Sequence, residues 1–458
     1  MAPLHRRPDS ATAADGGISV APRAQARWVL AVLVVLGALV APAAWADEVL
    51  ELILTPPSDS EIWKADEQRA QLGSVSHFAT PLDIGLTPWD DEQWSVEGDR
   101  ASWRLRLISP NAFSLSLAFE RFHLPADGYL IVDSPGGERL VFDQDDNEAH
   151  GQLWTPPLAG DELLVELSVP IERLGETELE LTRAHHGYAG FGEPRPRAGG
   201  CHRDVTCSEG EAWSDVARSV ALVSIEGVRF CSGFLVNNTA LDGRPFFITA
   251  HHCGIDAESA PSVVVMWNHQ RPRCLDGEPG SEVSGGFQTG ASLLAAVPAS
   301  DTVLLELDDP APADAFFTGW DRSDEPPRRS VVIHHPNTGP KRISFDFDPA
   351  LRTLHLRDEL HPRGNHLRIG DWESGTTEGG SSGAPLLNQD RRVVGQLHGG
   401  WAACGNDRAD WFGRFASAWT GNGRPGQRLS DWLDPIGSDA FVLDGVEATL
   451  VAPVLEPR

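Results

Sequence analysis

The chain has 458 residues, of which 41% are hydrophobic, so it is long enough for more than one domain and apolar enough to bury cores. This composition argues against global disorder. The formal net charge of -29 argues against a nucleic-acid partner, because an acidic surface repels phosphates.

The first segment has the pattern of a secretory signal. Arginines precede the apolar run WVLAVLVVLGALV (Trp28–Val40), and the small residues of APAAWA follow it. This pattern predicts a signal peptide, residues 1–46, that is cut between Ala46 and Asp47. The run is short for a bilayer span, although a retained N-terminal anchor is the alternative. We therefore expect a secreted, extracellular protein without membrane contact after signal cleavage.

Residues 47–197 contain no cysteine and are expected to form a β-sandwich. Turn formers such as PADG and SPGG separate stretches that alternate hydrophobic and polar residues: ASWRLRLIS, SLSLAFERF, GYLIVDS, ERLVFD, ELLVELSV and ELELTRA. Alternation with a period of two is typical of antiparallel strands. The segment ends at GFGEPRPRAGG, residues 190–200, whose prolines and glycines predict a flexible, cleavable linker.

Residues 198–445 are expected to form a second all-β domain that ends in a helix, followed by a tail, residues 446–458. The predicted strands include RSVALVSI, RFCSGFLVNN, RPFFITA, SVVVMWNHQ, TVLLELDD, SVVIHH and RRVVGQLHG. Only GQRLSDWLDP near the C-terminus suggests a helix, which Pro435 would end.

All 6 cysteines lie at or after Cys201, and an even number in an exported chain predicts disulfides. The sequence contains neither a CxxC pair nor an HExxH motif, which argues against a zinc ribbon and against the commonest metalloprotease site. No metal or organic cofactor is expected.

Three stretches together predict a catalytic triad. FFITAHHCG places imidazoles at a strand end, PASDTVLLELDD places Asp301 before an apolar strand, and TEGGSSGAPLL presents Ser382 on a glycine-rich turn. Serine becomes a nucleophile when a base takes its proton, and histidine titrates in the right range. A buried carboxylate then orients the imidazole. The order His, Asp, Ser along the chain is that of the chymotrypsin architecture.

The region from about Cys201 to Gly445 resembles the bacterial lysyl endopeptidases, a branch of the chymotrypsin-fold serine proteases. The matching stretches are LVNNTA, FITAHHCG, TVLLELDD, GWDR, IHHPN, KRIS, GSSGAP, GQLHGG and RLSDWLDP. The resemblance implies a chymotrypsin-like double β-barrel, with six strands in each barrel and the triad in the cleft between them. It also implies that residues 47–197 are a pro-domain, a partner of the protease until the chain is cut near Ala198.

The resemblance assigns roles to several residues. The base precedes the cysteine in this pattern, which selects His252 and makes His251 a packed neighbour. The N–H groups of Gly380 and Ser382 would form the oxyanion hole. Ser381 stands where trypsin has an aspartate that pairs with the new N-terminus, so activation through that salt bridge is not expected. The implied disulfides are Cys201–Cys404, Cys207–Cys274 and Cys231–Cys253, of which only the last follows from the general chymotrypsin pattern.

Specificity is also implied by the resemblance. Thr376 occupies the position of trypsin's pocket aspartate, and Asp410, in DRADWFGRF, is expected at the pocket floor instead, where it would favour a cationic P1 side chain. His398 matches a histidine that flanks the base. Because glutamyl endopeptidases use a histidine in a similar place, an acidic P1 residue is the alternative.

One departure from the family concerns a tryptophan that stacks near the catalytic histidine. The corresponding loop here, LHLRDELHPRGNHLRIGDW, has no Trp, Phe or Tyr before Trp372. His361 is the candidate substitute, and a more open pocket that tolerates arginine is the alternative.

The sequence thus predicts a secreted serine endopeptidase that hydrolyses protein or peptide substrates after lysine, and to a lesser extent arginine. One alternative is a catalytically inactive binding protein with the same barrels. Another is a sandwich that stays attached as an adhesion or carbohydrate-binding domain.

Overall fold

The computed structural model describes residues 49–71, 75, 77–90, 93–191, 201–274 and 285–451. The predicted signal peptide, the Arg197–Ala198 bond and the last seven residues lie outside these ranges. Within them, no helix is both long enough and apolar enough to cross a membrane.

The N-terminal sandwich, residues 50–187, consists of a six-stranded and a five-stranded sheet. Its strands are β1 (Leu50–Ile53), β2 (Ala79–Leu86), β3 (Trp94–Glu97), β4 (Arg100–Ile108), β5 (Ser114–His123), β6 (Tyr129–Asp133), β7 (Arg139–Phe142), β8 (Leu153–Trp154), β9 (Leu158–Ala159), β10 (Glu162–Pro170) and β11 (Glu178–Gly187). One sheet has the order β1-β4-β10-β6-β7 with β3 on β4, and the other has the order β2-β11-β5-β8 with β9 on β5.

Alternation along the strands builds the sandwich as predicted. In β4, Trp103, Leu105 and Leu107 are buried in the core that the two sheets share. The residues between them face outward, where Arg106 pairs with Glu162 of β10 at 2.7 Å. Strand β4 therefore has one apolar face and one more solvated face, which is the usual arrangement in antiparallel sheets.

Helix α1 (Asp59–Gln71) was not predicted from the sequence. The Ser58 N–H donates to the Glu61 carboxylate at 2.8 Å, which satisfies one N-terminal donor of the helix. Ile62 is buried while its neighbour Trp63 is exposed. The helix lacks the broad apolar stripe that would have revealed it.

The C-terminal unit, residues 201–451, corresponds to the predicted protease domain and keeps that name below. It contains a seven-stranded and a ten-stranded sheet. Its strands are β12 (Arg203–Asp204), β13 (Val220–Ile225), β14 (Arg229–Leu235), β15 (Phe246–Ala250), β16 (Val264–Met266), β17 (Phe287–Thr289), β18 (Ala291–Val297), β19 (Thr302–Leu307), β20 (Phe316–Phe317), β21 (Trp320–Asp321), β22 (Ser330–His334), β23 (Arg342–Asp346), β24 (Leu351–Thr353), β25 (His366–Ile369), β26 (Pro385–Leu387), β27 (Val393–Gly400), β28 (Asp410–Arg414), β29 (Val442–Leu443) and β30 (Val446–Glu447). Its helices are α2 (Ser214–Ala217), α3 (Phe415–Thr420) and α4 (Ser430–Leu433).

Each of the two large sheets of the protease domain has its own hydrophobic core, and a third hydrophobic core lies between the sheets. Phe247 and Trp267 belong to the core of the seven-stranded sheet, and Phe412 belongs to that of the ten-stranded sheet. A further cluster, which includes Phe234 and Ile333, joins the two sheets. This is the chymotrypsin-like double-barrel arrangement, which confirms the predicted fold class. The sheets hold more than the six strands expected of each, and two-residue strands such as β12, β21 and β29 enlarge the second sheet.

The C-terminal region differs from the prediction in two respects. The expected helix is a single turn, α4, that ends at Leu433, shortly before Pro435. The predicted tail boundary at residue 445 is wrong, because β30 pairs with β20 and Val451 is buried in the core of the seven-stranded sheet. The packed domain therefore extends to Val451.

The N-terminal sandwich and the protease domain share a small apolar core. Phe78 and Trp154 of the sandwich pack with Leu222 and Phe230 of the protease domain. The Phe78 N–H also donates to the Val228 carbonyl at 3.0 Å. At the start of the predicted linker, the Phe191 ring lies edge-on to Phe78, with centroids 5.2 Å apart. The beginning of the linker is therefore packed against both units.

Candidate active site

His252 lies on a short turn that is fixed at both sides. Strand β15 ends at Ala250, and the turn His251–Cys253 follows it. The Cys231–Cys253 disulfide ties this turn to β14. The His252 backbone N–H donates to one carboxylate oxygen of Asp301 at 2.8 Å, and Nδ1 lies 2.7 Å from the other. The backbone and the ring of His252 are thus held by the same carboxylate.

Asp301 is buried, with 2% of its surface exposed, and has a left-handed backbone with φ of 55°. Aspartate tolerates this conformation better than most residues. The Asp301 carbonyl accepts hydrogen bonds from the His251 N–H and the Gln396 amide, both at 2.9 Å. These contacts fix the turn between β18 and β19 from which the carboxylate projects.

Ser382 completes the arrangement, because its Oγ lies 2.9 Å from His252 Nε2. Two glycines with positive φ shape its turn. A Cβ on Gly383 would lie 2.3 Å from the Ser232 carbonyl, and one on Gly380 would lie 2.2 Å from the Phe230 ring. Within the described residues, the N–H groups of Gly380 and Ser382 have no protein acceptor. They are available to an external oxygen.

Ser381 is bound to a buried histidine. The Ser344 hydroxyl donates to the Thr376 carbonyl at 3.0 Å, so it accepts from His334 Nε2–H, 3.3 Å away. His334 Nδ1 therefore accepts from the Ser381 hydroxyl at 2.7 Å. Burial holds the pKa of His334 well below its ordinary value, which keeps the ring neutral. A neutral histidine thus accepts the hydrogen bond of Ser381, the residue at the position where trypsin carries its activation aspartate.

Glu378 links the start of the protease domain to the Ser382 turn. Its carboxylate lies 3.0 Å from His202 Nε2 and accepts from the Asn337 amide at 2.9 Å. Burial raises the pKa of Glu378, but His202 and the other donors outweigh it and lower the pKa overall. The Cys404 N–H donates to the same carboxylate, and Cys404 is disulfide-bonded to Cys201. Neither His202 nor Glu378 was predicted from the sequence, although Glu378 lies within the TEGGSSGAPLL stretch.

Asp410 begins strand β28 and has 1% of its surface exposed. One oxygen accepts from the Thr377 hydroxyl at 2.5 Å and from Trp372 Nε1 at 2.9 Å. A Cβ on Gly400 would lie 2.5 Å from the other oxygen, so only a glycine leaves room there. Burial raises the pKa of Asp410 above its ordinary value, although hydrogen bonds from Thr377, Trp372 and the Ala402 backbone oppose the shift. Thr376, at the trypsin pocket position, is buried and brings no charge.

His398 lies in a β-bulge, since the register of β27 on β28 shifts between Leu397 and Gly399. Bulges redirect side chains and are common beside active sites. The His398 ring stacks on His252, with centroids 5.4 Å apart, and His355 stacks on its other side at 3.6 Å. His361, the expected substitute for the family tryptophan, is not part of this stack. His355 takes that place instead.

The His398 ring that stacks on His252 is neutral, as is His366 behind it. Burial, together with the smaller effect of the neighbouring histidines, lowers the pKa of His398 to about 2. Burial likewise lowers the pKa of His366 to about 3, and His366 Nε2 lies 2.9 Å from His398 Nδ1. His355 and His366 were not predicted from the sequence, because only the fold brings their loop next to β27.

The described residues contain three disulfides, which join the pairs that the resemblance implied. Cys201–Cys404 closes a separation of 203 residues and Cys207–Cys274 one of 67. All three lie in the protease domain.

Comparison with known proteins finds a matching family and a similar protein, and both are described as lysyl endopeptidases. The family described as "Lysyl endopeptidase, C-terminal domain" matches residues 196–413. A lysyl endopeptidase of Pseudomonas aeruginosa is 28% identical over 381 residues, which covers 76% of this chain and 80% of that protein.

Solved protease structures are also similar, at a lower level. The active form of the Rv3671c protease from M. tuberculosis is 17% identical, with a TM-score of 0.32, and the match covers 51% of this chain and 94% of that one. The HtrA-type protease AlgW is 16% identical, with a TM-score of 0.31, and the match covers 45% of this chain and 60% of that one. Similarities of this size do not bear on function.

The double-barrel fold and the family match define the chain as a serine endopeptidase. Its substrates are therefore proteins or peptides. More particularly, the match of residues 196–413 and the relative that covers 76% of the chain show that it is a lysyl endopeptidase-like protease.

Proposed function

We propose that this chain is a secreted endopeptidase that cleaves after basic residues, lysine in preference to arginine. The observation that carries the proposal is Asp410, a buried carboxylate with one oxygen bound to Thr377 and Trp372 and the other next to Gly400. A cationic P1 side chain would bring a positive charge to this buried carboxylate.

The proposed chemistry is acyl transfer. Ser382 Oγ attacks the scissile carbonyl carbon while His252 Nε2 takes its proton, and Asp301 stabilises the imidazolium that forms. The N–H groups of Gly380 and Ser382 donate to the oxyanion. His252 then protonates the leaving amine, and water releases the acyl group by the same route. The 2.7 and 2.9 Å contacts within the triad support this reaction and disfavour the inactive binding protein.

The neutral state of His398 argues against an acidic P1 residue. A histidine that binds a carboxylate acts best when charged, whereas burial lowers the pKa of His398 to about 2. Asp410 would in addition repel an acidic side chain. A basic P1 residue therefore suits both groups.

The distribution of lysine fits this specificity. Lys64 and Lys341 are the only lysines of the chain, and Lys341 is 1% exposed, with its Nζ donating to the Ala217 carbonyl at 2.6 Å. A folded lysine-specific enzyme would thus find no accessible lysine in its own protease domain. Lys64 lies exposed on helix α1 of the N-terminal sandwich.

We further propose that the N-terminal sandwich is a pro-domain released by a cut at Arg197–Ala198, because proline protects the Arg195–Pro196 bond. The enzyme must then accept arginine at this bond, or another protease must cut it. The full-length Ser382→Ala chain should stay intact alone and be cut there when active enzyme is added. Mass spectrometry of the new N-terminus decides this; spontaneous cutting of the pure variant, or no cutting after addition, rejects self-maturation.

A P1 cleavage profile of the secreted protein tests the specificity directly. Peptide libraries should be cut after lysine first and arginine second, and Ser382 should react with a fluorophosphonate probe. Cleavage mainly after glutamate would support the acidic alternative. Absence of both cleavage and labelling would support the inactive binding protein.

A further inference from the structure

Three side chains at the candidate active site bring potential metal ligands to one place. His252, Asp301 and His398 each offer one ligand atom, and these atoms lie within 4.8 Å of one another. Asp301 Oδ2 lies 2.7 Å from His252 Nδ1 and 3.8 Å from His398 Nε2. Whether this cluster can hold a cation depends on which nitrogen of His398 carries its proton.

A chain of hydrogen bonds fixes that proton. The Asn365 amide nitrogen donates to the Ala299 carbonyl, so Asn365 Oδ1 faces His366 Nδ1 at 2.8 Å. An amide oxygen only accepts, so His366 carries its proton on Nδ1 and presents a lone pair at Nε2. His398 Nδ1 lies 2.9 Å from that lone pair and must be the donor.

The consequence is that His398 Nε2 has no proton. A ring nitrogen without a proton and a carboxylate oxygen therefore lie 3.8 Å apart with no hydrogen between them. Two acceptors in this relation attract a cation. His252 Nδ1 can add a third donor atom when its proton leaves.

We propose that His252 Nδ1, Asp301 Oδ2 and His398 Nε2 form a site for Zn²⁺ or a similar transition metal that inhibits the enzyme. Two imidazoles and a carboxylate are a usual Zn²⁺ donor set. With metal–ligand distances of about 2.0–2.2 Å, tetrahedral ligands lie about 3.3–3.5 Å apart. The 3.8 Å separation needs a small closure and the 2.7 Å contact a small opening. His366 and Asn365 form the outer shell that orients His398.

The inhibitory effect follows from the proton of His252 and rests on the proposed peptidase function. In the resting triad this proton lies on Nδ1, between the ring and Asp301. A metal bound at Nδ1 displaces it, and the ring takes up a proton at Nε2. Nε2 then donates to Ser382 and can no longer accept its proton. Zinc would thus lock the base in the wrong state without touching Ser382.

The first experiment measures zinc binding without requiring catalysis. Full-length Ser382→Ala protein is titrated with zinc chloride by calorimetry in a non-coordinating buffer. Adding His398→Phe keeps an aromatic ring in the stack but removes a ligand, and adding His366→Leu removes the acceptor that orients His398. We expect each to weaken this binding event at least about tenfold. His251→Gln is the matched control, because it removes an adjacent histidine outside the cluster.

Thermal unfolding of each variant shows whether it is folded. Binding of the same strength and stoichiometry in the parent and in both folded cluster variants would overturn the site. The site would also be overturned if the cluster variants lost no more zinc affinity than the His251→Gln control.

The second experiment measures the effect on the active enzyme. Zinc should reduce both peptide cleavage and fluorophosphonate labelling, and a chelator should restore them. The His398→Phe enzyme, compared with its own zinc-free rate, should need at least about tenfold more zinc for half inhibition. Undiminished cleavage at zinc concentrations that saturate the Ser382→Ala protein would overturn the inhibitory role. Because the calorimetry needs no activity, it separates failure of the metal site from failure of the peptidase proposal.

Discussion

Among the serine–histidine pairs of the described residues, one in the N-terminal sandwich and one at the candidate active site make an instructive comparison. In the N-terminal sandwich, Ser116 Oγ lies 3.1 Å from His185 Nδ1. In the protease domain, Ser382 Oγ lies 2.9 Å from His252 Nε2. The distances are similar, so the contact between serine and imidazole does not by itself distinguish a structural pair from a reactive one.

The difference lies in the other ring nitrogen and in access to solvent. His252 presents its second nitrogen to the Asp301 carboxylate, and 29% of its side chain is exposed. His185 Nε2 has no hydrogen-bond partner among the described residues, and the side chain is buried. Burial and Arg183 lower the pKa of His185 to about 3, so it cannot hold a proton near neutrality. A base needs a group that stabilises its charged form and a way for substrate to reach it.

The largest expected effect concerns the reactive pair itself. Ser382→Ala and His252→Ala should each lower kcat at least about ten-thousand-fold, because the triad acts as a unit. Ser116→Ala in the sandwich and His251→Ala beside the base should keep most of the activity. Peptide hydrolysis with active-site titration checks this. Equal losses from His251→Ala and His252→Ala would contradict the assignment of His252 alone as the base.

Removal of the carboxylate should make His252 more like His185. Asp301→Asn puts an amide donor where the ring needs an acceptor, which favours the wrong tautomer, and a loss of about ten-thousand-fold in kcat is expected. The buried Asp346, outside the triad, offers a comparison for general destabilisation when changed to asparagine. Activity of Asp301→Asn within tenfold of the parent would show that the carboxylate is not what separates the two pairs.

The third effect concerns substrate specificity, for which the Ser116–His185 pair of the sandwich has no counterpart. Asp410→Asn should lower kcat/KM for lysyl substrates by about 30- to 5000-fold, as expected for about 2–5 kcal/mol from a buried charge-assisted contact. Fluorophosphonate labelling of Ser382 should change little. Asp407→Asn, an exposed aspartate of the same segment, is the matched control. An unaltered P1 preference in Asp410→Asn would remove Asp410 from the pocket.

The same contrast explains what could be predicted from the sequence. Strands of the sandwich have one solvated face, so β4 alternates strictly between buried and half-buried residues and was easy to recognise. Strands β13 and β22 are buried along their whole length, between the core of their own sheet and the core between the sheets. Apolar runs of this kind show a strand but not its register or its sheet. The motifs, not periodicity, therefore predicted the protease fold.

The residues of the candidate site also fall into those that the local sequence predicts and those that only the fold brings together. His252, Asp301 and Ser382 stand in recognisable local patterns, and the structure brings them within hydrogen-bonding distance. His355 and His334 act through neighbours that are distant in the chain, and their local sequence gives no sign of those neighbours. Histidine was expected to replace the family tryptophan, but choosing His355 over His361 required the path of the loop.

The smallest effect concerns the sandwich pair and the dependence of stability on pH. His185 has a pKa of about 3 in the folded chain. Its ordinary value is about 6.5, so above that pH the folded and unfolded chains are both neutral at this position. As the pH falls below about 6.5, the unfolded chain binds a proton that the folded chain excludes, and the free energy of unfolding drops by about 1.4 kcal/mol per pH unit for this group. The loss ends near the folded pKa.

His185→Phe should therefore make stability less sensitive to acid. The substitution keeps a ring in the stacking position 5.6 Å from Trp154 and removes the titrating group. Denaturant unfolding between pH 7 and pH 4 should give a slope shallower by up to about 1.4 kcal/mol per pH unit, whatever the change in stability at pH 7. His123→Gln, an exposed histidine of the same sandwich, should leave the slope unaltered. Because other buried histidines contribute slopes of their own, the difference between the two variants is the measurement. Equal slopes would mean that His185 protonates in the folded chain, and that burial does not separate it from His252.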